Sequence, residues 1–472
     1  MSELLITLIR IVGDAHVLTA ASQDLTAYEQ DWRGRSRGRA LCVVRPANTQ
    51  QVADVVKACA ASGVSIVPQG GNTSLVVASI PDDTGTQVLL NLGRMGAVRS
   101  IDAANMTITV EAGCILQNLQ DAADKAGFLF PLSLAAEGSC TIGGNLGTNA
   151  GGTQVLRYGN TRDLCLGLEV VTASGDIWHG LSGLRKDNTG YDLRHLMIGS
   201  EGTLGIITAA TMKLFAQPAA QLTAWAAVPS VESAVQFLGM AQKALASGLT
   251  GFELMNQCAL GLVAKHFPQQ RVPFVADSPW CVVLELSDSE SEAHARERFE
   301  ALMEQAFEAE LISDAVVAEN IGQARALWHV RESIPLAQAQ EGLNIKHDIS
   351  VAVSRIAAFV ATTDALLQAA VPGVQMVDFG HLGDGNLHYN VQCPAGADQK
   401  AFFAAHEKSI NTIVYDSVHA HGGSISAEHG VGGLKRDTLP HYKSAVALDM
   451  MRAVKKALDP QNILNPGKML VM

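Results

Sequence analysis

The chain has 472 residues, more than one compact core accommodates, so two or three domains are expected. Its 48% apolar and 17% charged residues describe an ordinary globular protein and exclude a disordered or fibrous one. A formal net charge of −12 disfavours a large phosphate-backbone footprint, so no nucleic-acid partner is expected, although single arginines and local dipoles still hold small anions.

In chain order, MSELLITLIRIVGD places Leu4, Leu5, Leu8, Ile9 and Val12 at helical spacing. Glu3 and Arg10 interrupt it and no basic leader precedes it, so it reads as neither a signal peptide nor a span. No later stretch reaches the roughly 18 uninterrupted apolar residues of a membrane helix, so a soluble chain with no membrane span is expected. A β-α-β start follows: the strand LCVVRP, the helix TQQVADVVKACAASG, the strand VSIVP and the glycine loop QGGNTS. VLLNLGRM and AVRSIDAANMTITVEAG alternate as strands, and ILQNLQDAADKAG reads as a helix closed by Gly127.

Residues 131–160 are glycine-rich with little apolar periodicity and read as a long functional loop. LGLEVVTASGDIW reads as two strands, and a last strand pair ends near LFAQPA. The composition changes at Pro218. Beyond it, strands (LTAWAAVPS, WCVVLELS) alternate with helices (VESAVQFLGMAQKALAS, AHARERFEALMEQAFEA), and the tail carries a helix ended by Pro460. The expected class is α+β, with domains at 1–217 and 218–425 and a C-terminal segment, 426–472. Eight scattered cysteines without a CxxC pair read as reduced thiols of a cytoplasmic protein.

Three segments carry glycine in a way that suggests ligand contact. PQGGNTSL (68–75) follows an apolar strand, and successive glycines let neighbouring N–H groups face one anion; a plain β-turn has the same residues. GGNLGTNAGG (143–152) and IGSEGTLGIIT (198–208) repeat the device, which suggests one large ligand threaded through one domain. The GxGxxG and GxxxxGK[ST] fingerprints are missing, which counts against nicotinamide and ATP. Further on, HLGDGNLH (381–388) and AEHG (427–430) hold His381, His388, Glu428 and His429. Two imidazoles and a carboxylate suit a divalent metal such as zinc; a turn with surface imidazoles fits the spacing equally.

PQGGNTS, GSCTIGGNLGTNAGG-x5-YG and GSEGTLGI together resemble the FAD-binding domain of the vanillyl-alcohol oxidase/p-cresol methylhydroxylase (PCMH) superfamily. HLGDGNLH, SAEHGVG and DPQNILNPGK resemble the FAD-linked oxidase C-terminal domain, so the likeness runs from about residue 37 to the end. It is strongest to the FAD-dependent D-2-hydroxyacid dehydrogenases, the D-2-hydroxyglutarate group in particular, with D-lactate, D-malate and glycolate enzymes nearby. The implied fold is a two-subdomain PCMH-type FAD-binding domain, an α+β substrate (cap) domain, and a tail returning to the flavin.

The resemblance implies site residues one by one. Pro68, Gln69, Gly70, Gly71, Asn72, Thr73 and Ser74 would hold the FAD pyrophosphate. Pro131, Ser133, Gly138, Ile142, Gly144, Thr148, Asn149 and Gly152 would line the dinucleotide and ring. Gly202 and Ile207 would meet the adenosine end, and Asn465 would return to the ring. Some members link FAD through a histidine in the first loop; Asn72 stands there, which implies non-covalent FAD. Val76, Val77 and Ala78 depart from the family's glycine-rich continuation.

His381, His388 and Glu428 fall on the family's metal positions (zinc or another divalent ion), and His429 on its general base. Arg331, Lys346, Asn390 and His429 itself fall on its substrate-binding positions. Pro335 stands where a hydroxyglutarate enzyme of the family carries a threonine, which widens the range of acids expected to D-malate and D-lactate. The implied reaction is oxidation of a D-2-hydroxyacid with hydride passing to the flavin and electrons leaving to an electron-transfer flavoprotein or a quinone, in a possible homodimer. A non-catalytic electron-transfer flavin subunit is the alternative of a different class.

Overall fold

A computed structural model describes residues 3–472. The chain divides into two compact units: residues up to 151, 159–216 and 428–472 form the first, and residues 152–158 and 217–427 the second.

The first unit is built on two sheets. In the four-stranded one the order is Val17–Leu18, Ala40–Val44, Gln87–Asn91, Ile66–Gln69; the last three strands run parallel and are almost wholly buried. The crossover helix between Ala40–Val44 and Ile66–Gln69 is Thr49–Ala61, capped by the Asn48 side chain accepting from Gln51 N–H. Its Val52, Val55, Val56 and Cys59 are buried. The five-stranded sheet is antiparallel, ordered Val98–Asp102, Thr107–Glu111, Ile206–Lys213, Cys165–Val171, Ile177–Gly180. The tail rejoins the first sheet at its Ile66 edge: Ile66 N–H donates to Ile463 O (2.7 Å) and Asn465 N–H to Ile66 O (2.8 Å).

The expected loop at 131–160 contains two helices, Ile142–Thr148 and Val155–Tyr158. The Thr141 hydroxyl caps the first helix at Gly144 N–H, and Asn149 ends it in the left-handed region at φ 53°. Capping and burial of Ile142 and Leu146 outweigh the weak helix propensity of its glycines. The second helix packs against Leu249–Asn256, and Arg157 Nη1 donates to Ser287 O (3.2 Å), which is why 152–158 belongs to the second unit.

The second unit is an antiparallel sheet ordered Asp314–Val317, Ala220–Val228, Trp280–Asp288, Leu249–Asn256, Gln375–His381, Asn386–Gln392, Asn344–Ile345, with Asp348–Ser350 also pairing Asn386–Gln392. Helices cover both faces, so the central strands read as unbroken apolar runs rather than alternating ones. Gln257–His266 and Ile321–Glu341 pack over Met255, Val377 and Phe379. On the other face Val231–Leu245 sets Phe237 against Phe252, and Ile356–Ala370 sets Phe359 against Tyr389. The eight cysteines are unpaired. Among the described residues no helix is long and apolar enough to cross a membrane.

Candidate active site

In the first unit the glycines are explained by how closely the three segments approach. A Cβ on Gly70 would lie 2.2 Å from Thr141 Oγ1, one on Gly71 2.0 Å from Ser139 O, and one on Gly202 (φ 70°) 2.4 Å from Pro68 Cγ. Glu201 N–H donates to Gly147 O and Gly199 N–H to Leu146 O, both at 2.8 Å. The 68–75, 138–149 and 199–202 segments therefore meet at one place.

Two features there suit a polar, anionic ligand. Among the described residues the amides of Gly70 through Ser74 find no acceptor, and Gly71, Gly138 and Gly144 are exposed. In addition, buried Asn465 Oδ1 has no partner among the described residues, while Gly138 and Gly147 face open space.

Asn72 holds the first loop in shape. At φ 54° its Nδ2 donates to Ala27 O (3.2 Å) and Gln30 O (2.8 Å), and its Oδ1 accepts from Ser79 Oγ (3.0 Å). Gln69 likewise ties Tyr28 O and Ser79 O. Thr148 Oγ1 donates to Gly144 O, and Asn149 Oδ1 accepts from Arg162 N–H. Pro131 is buried, Ser133 Oγ meets Glu137, and the Ile142 and Ile207 side chains are buried. Asn465 (φ 44°) donates to Ala78 O (3.0 Å) and Glu201 O (2.7 Å), holding the tail against the first glycine loop. Gly152 opens the short run that folds with the second unit.

The second unit holds the histidines on a sheet face. Gln375–His381 and Asn386–Gln392 form a hairpin whose register pairs His381 with Asn386 and Phe379 with His388. Residues opposite each other share a face and so do residues two apart, so His381 and His388 lie on one face as diagonal neighbours. Their ring centroids are 5.6 Å apart. The turn needs Gly385 at φ 85°, where a Cβ would also lie 2.3 Å from Val351 O.

The same face gathers the polar groups. Asp348 pairs with His388 and Glu253 with His381. Lys346, expected to begin a strand, lies between Asn344–Ile345 and Asp348–Ser350. Pairing of Ile345 with Val391 and Asp348 with His388 puts Lys346 opposite Asn390. Asn390 donates to Gln338 Oε1 (2.9 Å) and accepts from His347 N–H (3.1 Å), which uses most of its amide. Arg331, on the helix Ile321–Glu341, is buried, sits 5.0 Å over the Phe379 ring, and donates from Nε and Nη2 to Glu253 Oε2 (both 2.8 Å).

Sequence reasoning missed Glu253. It is fully buried, and its other oxygen lies 2.6 Å from His381 Nδ1. Burial alone would raise its pKa, but the His381 and Arg331 charges outweigh that and hold the carboxyl at about 2. A lone acid inside the apolar run GFELM was the available signal.

Ala427 N–H reaches Asp348 O, and Ser424 and Ser350 exchange backbone bonds at 2.8 and 3.0 Å, so the chain leaves this sheet edge directly into Glu428 and His429. Among the described residues two sets of donor atoms gather within 4.8 Å: His381, His388 and Glu428, and Asp348, His388 and His429. The first is the metal set expected from the sequence; Asp348 in the second was not foreseen. Two imidazoles and a carboxylate suit zinc or a similar divalent ion. Past His429, buried Glu201 accepts from Val431 N–H and Gly432 N–H, one on each oxygen at 2.7 Å. It too was missed, within GSEG.

The first unit has bare amides at converging glycine turns, as an anionic ligand requires, and the second presents imidazoles and carboxylates on one sheet face. Comparison with known proteins gives the family. Residues 217–469 match the model for the C-terminal domain of FAD linked oxidases, and residues 40–180 match an FAD binding domain. A D-2-hydroxyglutarate dehydrogenase of Xanthomonas citri pv. viticola is 40% identical over 448 residues, 94% of this chain and 92% of that one. A mitochondrial D-2-hydroxyglutarate dehydrogenase of Arabidopsis thaliana is 38% identical over 460 residues, covering 98% and 80%. The fold is similar to that of p-cresol methylhydroxylase, with TM-score 0.77 and 17% identity over 99% of this chain and 96% of that one. The chain belongs to the FAD-linked oxidase family and is an FAD-dependent dehydrogenase.

Proposed function

We propose that this flavoprotein oxidises D-2-hydroxyglutarate to 2-oxoglutarate. Relatives at 38% and 40% identity over nearly the whole chain bear the name D-2-hydroxyglutarate dehydrogenase. The observation that carries the reading within the molecule is the single sheet face holding His381, His388 and the Lys346 position, with Arg331 brought to it from the helix Ile321–Glu341 through Glu253. A hydroxy diacid needs an acceptor for its hydroxyl proton and cations for two carboxylates, and that face with the adjoining Glu428–His429 pair supplies both.

Bound FAD supplies the hydride acceptor, and a divalent metal such as zinc supplies the Lewis acidity that makes the substrate hydroxyl acidic. Pro68–Ser74 would hold the pyrophosphate without a covalent link, because Asn72 has no nucleophile. Pro131, Ser133, Gly138, Ile142, Gly144, Thr148, Asn149 and Gly152 would line the dinucleotide and ring. Gly202 and Ile207 would meet the adenosine end, and Asn465 would return to the ring. His381, His388 and Glu428 would hold the metal.

His429 takes the hydroxyl proton; an imidazole titrates near neutrality and needs little tuning for this. Lys346 and the part of Arg331 not given to Glu253 hold the distal carboxylate, and Asn390 the proximal end. An electron-transfer flavoprotein or a quinone would be the electron acceptor. The unpaired cysteines favour a reducing, cytoplasmic setting.

The test is anaerobic bleaching of the flavin in the purified chain by D-2-hydroxyglutarate, D-malate, D-lactate, glycolate and their L-isomers. D-2-hydroxyglutarate should give the highest kcat/KM. Preference for a monoacid by a wide margin would make it a D-lactate or glycolate enzyme. No bleaching by any D-acid would leave a non-catalytic electron-transfer subunit.

A further inference from the structure

One buried carboxylate touches two groups of the proposed site at once. Glu253 stands opposite His381 in the sheet, Leu249–Asn256 against Gln375–His381, so the backbone register aims one side chain at the other. Its Oε1 is 2.6 Å from His381 Nδ1, and its Oε2 takes both Nε and Nη2 of Arg331 at 2.8 Å. Glu253 is inaccessible, so it touches neither solvent nor ligand and acts only through its two partners. A carboxylate can only accept, so Nδ1 of His381 is the nitrogen that keeps its proton, and Nε2 is the one left to give its lone pair to a metal ion.

We propose that Glu253 is a positioning residue that selects the metal-binding tautomer of His381 and anchors Arg331 with its other oxygen. This rests on the proposed function, in which His381, His388 and Glu428 hold a divalent ion. Ligating histidines whose second nitrogen is fixed by a carboxylate typically lose 10- to 100-fold in metal affinity when that partner is removed.

The pairing makes a prediction that a plain buried ion pair does not. In Glu253→Gln the single amide oxygen is claimed by Arg331, which has only donors, so the NH2 group turns to His381. Nδ1 must then accept, the proton moves to Nε2, and the ligating lone pair is lost. In the double variant Arg331→Met with Glu253→Gln, no donor holds the amide oxygen; it can swing to His381 and restore the Nδ1–H tautomer.

The experiment uses the full FAD-loaded chain, stripped of divalent metal and titrated with Zn2+ against a chromophoric chelator. Glu253→Gln should weaken zinc binding about 10- to 100-fold, and adding Arg331→Met should recover much of that loss. Glu253→Gln within about twofold of the parent, on a scale where tenfold is the smallest loss expected, overturns the proposal. So does a double variant as weak as the single one, which would make Glu253 merely structural. His388→Ala separates the two layers: if it leaves zinc binding intact, the metal assignment itself is wrong. If it abolishes binding while Glu253→Gln does not weaken it, only the role of Glu253 fails. Should Glu253→Gln not fold alone, Glu253→Asp keeps the charge while shortening the reach to His381, and an affinity equal to the parent would overturn the proposal.

Discussion

Glu201 accepts both Val431 N–H and Gly432 N–H, so its removal is the cleanest probe of the segment that follows the Glu428–His429 pair. Burial pushes its pKa up, yet two amide donors, one per oxygen, favour the ionised form, because a carboxyl O–H would face an N–H. In Glu201→Ala two amides lose their acceptor, each at about 1–3 kcal/mol. Part of this is returned because a buried carboxylate no longer needs desolvating, so a net local cost of about 2–4 kcal/mol is expected. At about 1.4 kcal/mol per tenfold, amide exchange across 428–434 should accelerate about 30-fold or more. Hydrogen exchange by mass spectrometry reads this directly, with the Trp280–Asp288 strand as an internal control expected to stay protected. Exchange unchanged across 428–434 would show that the segment is held by something other than Glu201.

Two further predictions concern the sheet. Asp378 is buried with both oxygens unpartnered, and burial with the nearby Asp364 carboxyl, itself bonded to Tyr389 Oη, pushes its pKa well above the ordinary carboxylate value. A folded-state pKa above the unfolded one means the native state holds the extra proton, so this stabilisation is full below about pH 4 and is lost as pH rises through the folded value. Asp378→Asn should therefore melt higher than the parent at pH 8, with the advantage shrinking toward pH 5; a difference independent of pH refutes the assignment. Arg331→Met leaves the buried Glu253 carboxylate with His381 alone, so it should cost up to about 3–5 kcal/mol of stability and raise KM more for D-2-hydroxyglutarate than for D-lactate. An equal rise in KM for both acids refutes the carboxylate clamp.

How much of this was legible follows from the range of each interaction. The β-α-β start at 41–69, the hairpin at 98–111 and the tail helix Ala445–Leu458 rest on local periodicity, and the sequence displays that. The glycine segments were visible as a composition, but the reason for Gly71 is Ser139 O and the reason for Gly202 is Pro68, contacts that no window contains. The helix Ile142–Thr148 was hidden because its stability comes from a Thr141 cap and buried Ile142 and Leu146 rather than from residue preference. Residues 152–158 look continuous with the first unit in sequence but fold with the second, through contacts that include the Leu249–Asn256 strand and Ser287. Glu253 is 78 residues from Arg331 and 128 from His381, so its importance has no local trace beyond an acid in an apolar strand.

The spacing of seven between His381 and His388 illustrates why such a motif is ambiguous until register is known. With an ungapped hairpin, His381 opposite Asn386 fixes the sum of paired residue numbers, and any slip by one residue would send His388 to the far face among Phe359 and Tyr389. The turn forbids that slip: Gly385 has φ 85° and a carbonyl 2.3 Å from where its Cβ would be, so the residue at that corner must be glycine. Glu253 opposite His381 adds a second lock, since a shifted strand would take His381 away and leave Oε1 of that buried carboxylate unbonded. The chemistry of the face is thus set less by the histidines themselves than by one glycine and one acid that make every other pairing costly.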